Sequence, residues 1–271
     1  MAPSGFTASV PSFTIEYITT VDRANECLRL IRDGMAIGFD AEWTSDDEPG
    51  AKRKTPGERN AEKRQQTRTA GQFTIRWELV KLRLMQLYWG NGIVYVIDLP
   101  AMKEVPHELE RVCASSAIIK AGTGLFCDAS RLWKDFRMNL SSCVELGLAF
   151  KLVFPETTRP RAFYSELVGL VDVAEHVCGM KLDKSQRETD WSKSVLSSEQ
   201  LQYAATDAYT SFECYTRLQS EIDRCEYDIP SAWFTFDVVG NTRVQAGTSA
   251  KWKADCNWWS SEPGVGFIAR R

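Results

Sequence analysis

The sequence predicts a layered domain of the α/β or α+β class, and three observations support this prediction. Strand-like segments dominate the first half of the chain, at residues 35–39, 82–88 and 92–99. From Ser141 onward the apolar residues recur mostly at helical spacing. The 271 residues, 44% of them hydrophobic, are enough to bury one large core without disulfides. Strands followed by flanking helices are typical of a sheet covered by helices.

A helix and a buried strand open this domain. Between residues 22 and 32, helical spacing relates four apolar residues: Ala24, Cys27, Leu28 and Ile31. Asp22 is the predicted N-cap, and Asp33-Gly34 is expected to end the helix. The run 35–39 predicts a short buried strand, which leads directly into the acidic sequence Asp40-Ala41-Glu42.

A β-hairpin and further helices are predicted to follow. Residues 82–88 and 92–99 are two strand-like segments, and the sequence Trp89-Gly90-Asn91-Gly92 between them is a hairpin turn signal. The next expected elements are a helix after Pro106, a short strand at 117–121, a tight turn at 122–124 and a helix at 128–136. A later helix is expected to begin after Ser197, which forms a capping box with Gln200.

Charge is distributed unevenly along the chain. The 33 Lys and Arg against 36 Asp and Glu leave a net charge of only −3. Residues 52–68, however, carry seven positive and two negative charges, a local net of +5. We therefore divide the chain into a flexible leader at 1–13, a domain at 14–226 with a basic insertion at 44–76, and a Trp-rich extension at 227–271.

Histidine and cysteine usage excludes several classes of metal enzyme. The two histidines, His107 and His176, are too far apart in sequence for a zinc-protease motif. The eight cysteines form no C-x-x-C pair and are expected to be reduced, packed thiols of an intracellular protein, in the nucleus or the cytoplasm. No apolar run approaches the ~20 residues of a membrane span, so no membrane association is expected.

Carboxylates are the remaining candidate ligands. Asp40 and Glu42 are two apart on a predicted strand and therefore share a face. Tyr203 and Asp207 are four apart on a predicted helix and share a face there. Asp128 opens another predicted helix. Taken singly, these residues are also consistent with a solvated strand end, a polar helix face and a helix N-cap.

Together these segments resemble the motifs of the DEDD 3′–5′ exonucleases. Phe39-Asp40-Ala41-Glu42-Trp43 is similar to the first motif, residues 120–128 (KAGTGLFCD) to the second, and residues 203–209 (YAATDAY) to the third. Residues 182–191 (LDKSQRETDW) resemble the segment that precedes the third motif. The third motif has the Tyr-x-x-x-Asp form of the DEDDy branch, which includes the Werner-syndrome-type exonucleases and the ribonuclease D group. Position 202, where the DEDDh branch has histidine, is Gln.

The resemblance implies an RNase H-like fold, with a mixed five-stranded sheet of three antiparallel-capable strands followed by parallel additions, flanked by helices. It implies two divalent cations, Mg²⁺ or Mn²⁺, held by Asp40, Glu42, Asp128 and Asp207. Oxygen-only ligands suit these hard ions. Tyr203, whose phenol has an ordinary pKa near ~10, would hydrogen-bond and aim the attacking water rather than act as a full base. Glu42 would also contact the terminal 3′-hydroxyl.

The expected partner is a single-stranded or 3′-recessed nucleic acid, DNA or RNA; no protein partner follows from the sequence. The resemblance places substrate contacts at Ala41, Trp43, Lys184 and Arg187, although the two basic residues are equally consistent with a solvated face. The basic run 52–68 is either a flexible electrostatic arm for the nucleic acid or a disordered insertion, in which Lys52-Arg53-Lys54 would serve nuclear import. The alternative to an enzyme is an inactive nuclease fold that binds nucleic acid or a protein.

Overall fold

The computed structural model describes residues 12–44, 74–157, 168–187 and 189–252. Most of the predicted leader, most of the basic insertion and the last 19 residues of the Trp-rich extension lie outside these described residues. No described helix is both long and apolar enough to span a bilayer.

One mixed sheet organises the described residues. Its eight strands are β1 (Thr14–Ile18), β2 (Ala36–Trp43), β3 (Leu82–Tyr88), β4 (Ile93–Asp98), β5 (Ile119–Gly122), β6 (Leu140–Glu145), β7 (Thr235–Val239) and β8 (Thr242–Val244). Their spatial order is β1-β4-β3-β2-β5-β6-β7-β8. The hairpin β3–β4 is antiparallel, as the turn signal predicted, and β2 is antiparallel to β3 but parallel to β5.

Helices cover both faces of this sheet. They are α1 (Val21–Leu28), α2 (Leu99–Met102), α3 (His107–Ala114), α4 (Leu125–Phe136), α5 (Leu146–Val153), α6 (Leu170–Cys178) and α7 (Ser198–Arg224). One face packs on α1, α3 and α4, and the other on α5, α6 and α7. The predicted α/β class and the mixed sheet flanked by helices are confirmed.

The sheet has eight strands where five were expected. β1 is a short edge strand parallel to β4. β6 occupies residues for which the sequence predicted mostly helix, because Leu140–Glu145 contains two serines and little alternation. β7 is antiparallel to β6 and β8 to β7, so residues 235–244 of the predicted extension continue the sheet. Their turn uses Gly240 and Asn241, both with positive φ, as tight hairpins prefer.

Two predicted helix caps are wrong. Thr20, and not Asp22, is the N-cap residue of α1. α4 begins at Leu125 after the left-handed Gly124, which places Asp128 in the first turn of the helix. The capping box before α7 is confirmed: the Ser197 Oγ accepts from the Gln200 backbone N–H at 3.2 Å, and the Gln200 Oε1 accepts from the Ser197 N–H at 3.0 Å.

Candidate active site

The end of β2 presents two carboxylates on one face of the sheet. Side chains alternate along the strand, so Ile37, Phe39 and Ala41 lie in the core beneath α1 and α4. Asp40 and Glu42 point to the opposite face, beneath α7. Asp40 and Glu42 therefore share a face of the strand, as their spacing of two residues predicted.

Helix α7 completes this group because it lies unusually close to β2. A Cβ atom at Gly38 would stand 2.0 Å from the Ala208 carbonyl oxygen, so only glycine permits the contact. The close crossing brings Asp207 over the strand. Carboxylate oxygens of Asp40, Glu42 and Asp207 all lie within 4.8 Å of one another. A divalent cation with oxygen ligands fits such a group.

Asp128 faces the same site from α4 but stands outside this tight group of three. It is buried, with 4% of its surface exposed. Burial is the first cause that raises the pKa of Asp128, and the charge of Asp40 adds to it. The charge of Asp128 in turn adds to the burial and the Asp40 and Asp207 charges that raise the pKa of Glu42. Four carboxyl groups, from β2, α4 and α7, therefore interact near the C-terminal end of β2.

The acids destabilise one another's ionised forms. Burial, followed by the charge of Asp207, raises the pKa of Asp40 to about 8. Burial, followed by the charge of Asp40, raises the pKa of Glu42 to about 10. Burial also raises the pKa of Asp207, although Lys184 opposes this effect. A divalent cation would remove the repulsion, so the donor set fits a bound metal.

Lys184 contributes a positive charge at this site. Its Nζ donates to both carboxylate oxygens of Asp207, at 2.8 and 3.0 Å, and lies 5.2 Å from the centre of the Tyr203 ring. Arg187 is exposed, and its charge partly opposes the burial that raises the pKa of both Asp40 and Asp207. Of the two basic residues predicted to contact substrate, Lys184 therefore touches the carboxylates, whereas Arg187 acts on them through its charge.

Tyr203 lies beside the acids with its hydroxyl hydrogen-bonded to Asp207. Burial and then the charge of Asp207 raise the pKa of this phenol above its ordinary value. Its ring packs near Trp191, with ring centres 6.3 Å apart. A phenol held protonated in this way can donate or relay a hydrogen bond but cannot serve as a base at neutral pH.

The other two predicted substrate contacts differ in placement. The side chain of Ala41 is 4% exposed and belongs to the core on the far face of β2, so its backbone alone can reach a ligand at the acids. Trp43 is half-buried and packs against the same core, after an irregularity in the β2–β3 register between Glu42 and Trp43.

Sequence reasoning missed one buried carboxylate near the site. Glu145 ends β6, and its two carboxylate oxygens accept from the Gly124 N–H at the start of α4, at 2.8 and 3.1 Å. Burial raises the pKa of Glu145 to about 7. Like Glu42, it is an acid near the end of a strand. That signal was hidden because β6 itself was not recognised.

A mixed sheet with an acidic cluster towards the end of β2 and a helix crossing above it is the arrangement of the DEDD-type 3′–5′ exonuclease family, within the RNase H-like superfamily. Residues 74–223 match the family model described as 3′–5′ exonuclease, and the chain belongs to this family. The match includes Asp128, Tyr203 and Asp207, whereas Asp40 and Glu42 precede it.

Among curated relatives, the mouse bifunctional 3′–5′ exonuclease/ATP-dependent helicase WRN is 27% identical over 190 residues, 69% of this chain and 11% of that protein. Escherichia coli RNase D has the same fold, with a TM-score of 0.55 and 19% identity over 78% of this chain and 46% of that chain. Brucella melitensis NrnC, solved with bound Mg²⁺, gives a TM-score of 0.50 and 18% identity over 78% and 81%. The chain thus spans about a tenth of the length of the first relative.

Proposed function

We propose that this protein is a metal-dependent 3′–5′ exonuclease of the DEDDy type, which removes nucleoside 5′-monophosphates one at a time from a 3′ end. The observation that carries the proposal is the group formed by Asp40, Glu42 and Asp207, whose carboxylate oxygens lie within 4.8 Å of one another. Asp128 is the proposed fourth ligand. Mg²⁺ in the structure of the relative NrnC supports this choice of ion.

Two divalent cations held by these four residues would acidify the attacking water and stabilise the leaving 3′-oxygen. The protein's own contribution is to hold the carboxylates in place and to orient the reactants. Tyr203 aims the water through its hydroxyl, which stays protonated because its pKa is raised. Glu42 also contacts the terminal 3′-hydroxyl. Attack on phosphorus breaks the bond to the 3′-oxygen, releases a nucleoside 5′-monophosphate and leaves a new 3′-hydroxyl.

Substrate binding is assigned to the basic residues beside the acids. Lys184 donates to Asp207 in the protein alone and would exchange part of this contact for a backbone phosphate when nucleic acid binds. Arg187 is exposed and supplies a second positive charge. The proposed substrates are single-stranded or 3′-recessed DNA or RNA. The basic run 52–68 is proposed to strengthen this binding electrostatically.

The test is cleavage of 5′-labelled single strands and 3′-recessed duplexes, each as DNA and as RNA, with Mg²⁺, with Mn²⁺ and with EDTA. The proposal predicts a ladder that shortens from the 3′ end, with 5′-monophosphates as products and no cleavage in EDTA. Intact substrate under every condition, from protein that circular dichroism shows to be folded, would instead favour an inactive nuclease fold that only binds.

A further inference from the structure

A fully buried amide lies next to the acids on the neighbouring strand. Gln86 of β3 has no exposed surface, and neither its Nε2 nor its Oε1 has a hydrogen-bond partner among the described residues. Leaving a buried polar group unpaired costs ~1–3 kcal/mol, and native proteins contain few such groups. A hydrophobic residue of the same length would fill this position at lower cost, so the amide itself needs an explanation.

The strand register aims Gln86 at the site. In the antiparallel β2–β3 ladder Gln86 stands directly opposite Asp40, so the two side chains lie on the same face, with Cβ atoms ~4.5–5.5 Å apart. On its other side Gln86 stands next to Val96 of β4. Of the two residues that flank it across the sheet, one is therefore apolar and the other is a proposed cation ligand.

The surroundings of Gln86 contain a second unpaired polar group. Leu84 and Tyr88, its neighbours on the same face of β3, belong to an apolar cluster with Trp191 and Tyr203. The indole Nε1 of Trp191 is also buried without a hydrogen-bond partner. The Gln86 amide and the Trp191 indole are thus both left unpaired beside an apolar cluster next to the proposed site.

We propose that Gln86 is a positioning residue for the cation site: when a cation binds, its Nε2, which is unpaired in the structure, comes to donate to the Asp40 carboxylate and fixes the orientation of that ligand. This inference rests on the proposed function, because it assigns Asp40 to a cation. Carboxylates that bind metals are themselves usually hydrogen-bonded, and an amide provides two donors for this purpose. Gln86 acts through Asp40 and is not assigned a contact with the substrate.

The test compares Mn²⁺ binding by isothermal titration calorimetry for the wild-type protein, Gln86→Met and Gln219→Met. Methionine keeps the unbranched shape but removes the donor, and Gln219 lies 12 residues beyond Asp207 on α7 and serves as the control. Mn²⁺ affinity of Gln86→Met is expected to fall ~10–100-fold, as on removal of other ligand-orienting partners. Its melting temperature in EDTA is expected to equal or exceed that of the wild type, because an unpaired amide has left the core.

Unchanged Mn²⁺ affinity in a folded Gln86→Met protein would overturn the inference. If that variant does not fold, Gln86→Asn, which keeps the amide but is one methylene shorter, takes its place with the same expected loss. The two proposals fail separately: wild-type protein that binds Mn²⁺ without cutting nucleic acid would contradict the proposed function but leave the Gln86 comparison valid.

Discussion

Raising the pH in the presence of a chelator should destabilise the fold, because the acidic cluster then loses protons that it holds only when folded. The pKa of Asp40 is raised to about 8 and that of Glu42 to about 10, whereas both carboxyl groups have pKa values near ~4 in an unfolded chain. Between these limits the folded protein binds more protons than the unfolded chain. This contribution to stability is therefore complete at low pH and is lost as the pH rises through the folded-state values.

The size of the effect follows from proton linkage. For each extra proton that the folded state binds, the free energy of unfolding falls by ~1.4 kcal/mol for every unit by which the pH rises. From pH 6 to pH 8 the Glu42 proton alone accounts for about 3 kcal/mol, and the Asp40 proton adds to this loss as the pH approaches 8. In a domain of this size that loss corresponds to a fall of roughly 6–12 °C in melting temperature. Glu145, with a pKa raised to about 7, acts in the same direction.

The other groups with shifted pKa values affect stability mainly outside the window from pH 6 to pH 8. Acids with lowered pKa values, such as Glu108 and Asp183, change stability at more acidic pH. Burial lowers the pKa of Lys120 to about 8, so its contribution has the opposite sign and develops above that pH. The window from pH 6 to 8 therefore reports chiefly on the carboxyl groups.

The assay is differential scanning calorimetry from pH 6 to pH 8, in EDTA and in saturating Mg²⁺. The fall in melting temperature should appear in EDTA, shrink in Mg²⁺ and become shallower in Glu42→Gln. Asp172→Asn, a substitution on the exposed side of α6, should behave like the wild type. A chelated wild-type protein that is as stable at pH 8 as at pH 6 would refute the reasoning.

Three further predictions concern single side chains. Tyr203→Phe should lower kcat by ~10–100-fold because the hydroxyl is lost, while Mn²⁺ affinity stays unchanged because the ring still packs near Trp191. An unchanged kcat in steady-state assays would contradict the role assigned to the hydroxyl. Lys184→Met should raise KM and reduce the slope of log affinity against log salt concentration by about one. The affinity is measured by fluorescence anisotropy with a labelled strand in Ca²⁺, and an unchanged slope would argue against a phosphate contact. Arg243→Ala should lower the free energy of unfolding in urea by ~0.5–2 kcal/mol, because the guanidinium lies 4.5 Å from the centre of the Phe126 ring; a smaller loss would mean that this contact adds no stability.

Local signals predicted the elements that carry most of the proposed site. The alternation in 82–88, the turn at 89–92 and the capping box before α7 depend on neighbouring residues, and the structure contains all three. Asp40 and Glu42 share a face because they are two apart on a strand. The meeting of that strand with Asp207 depends on the crossing at Gly38, which no local pattern encodes.

Features that depend on distant pairing were not predicted. β6 is recognisable as a strand only through its pairing with β5 and β7, since its own sequence is half polar. The same holds for β7 and β8, whose aromatic and polar composition resembled an irregular extension. Gln86 is inconspicuous in sequence because a polar residue in a hairpin strand is ordinarily assigned to the solvent face. Its burial follows from α7, which covers that face.

The central claim is that Asp40 and Asp207 hold the cations that drive cleavage at a 3′ end. The most direct measurement is the single-turnover rate of nucleotide release from a 3′-labelled strand in Mg²⁺, for the wild type, Asp40→Asn, Asp207→Asn and the control Asp172→Asn. We predict that both site variants fold but lose more than ~100-fold in rate, while the control is unaffected. This loss is larger than the ~10–100-fold expected when a residue that only orients a metal ligand is removed. Site variants that release nucleotides at the wild-type rate would contradict the claim.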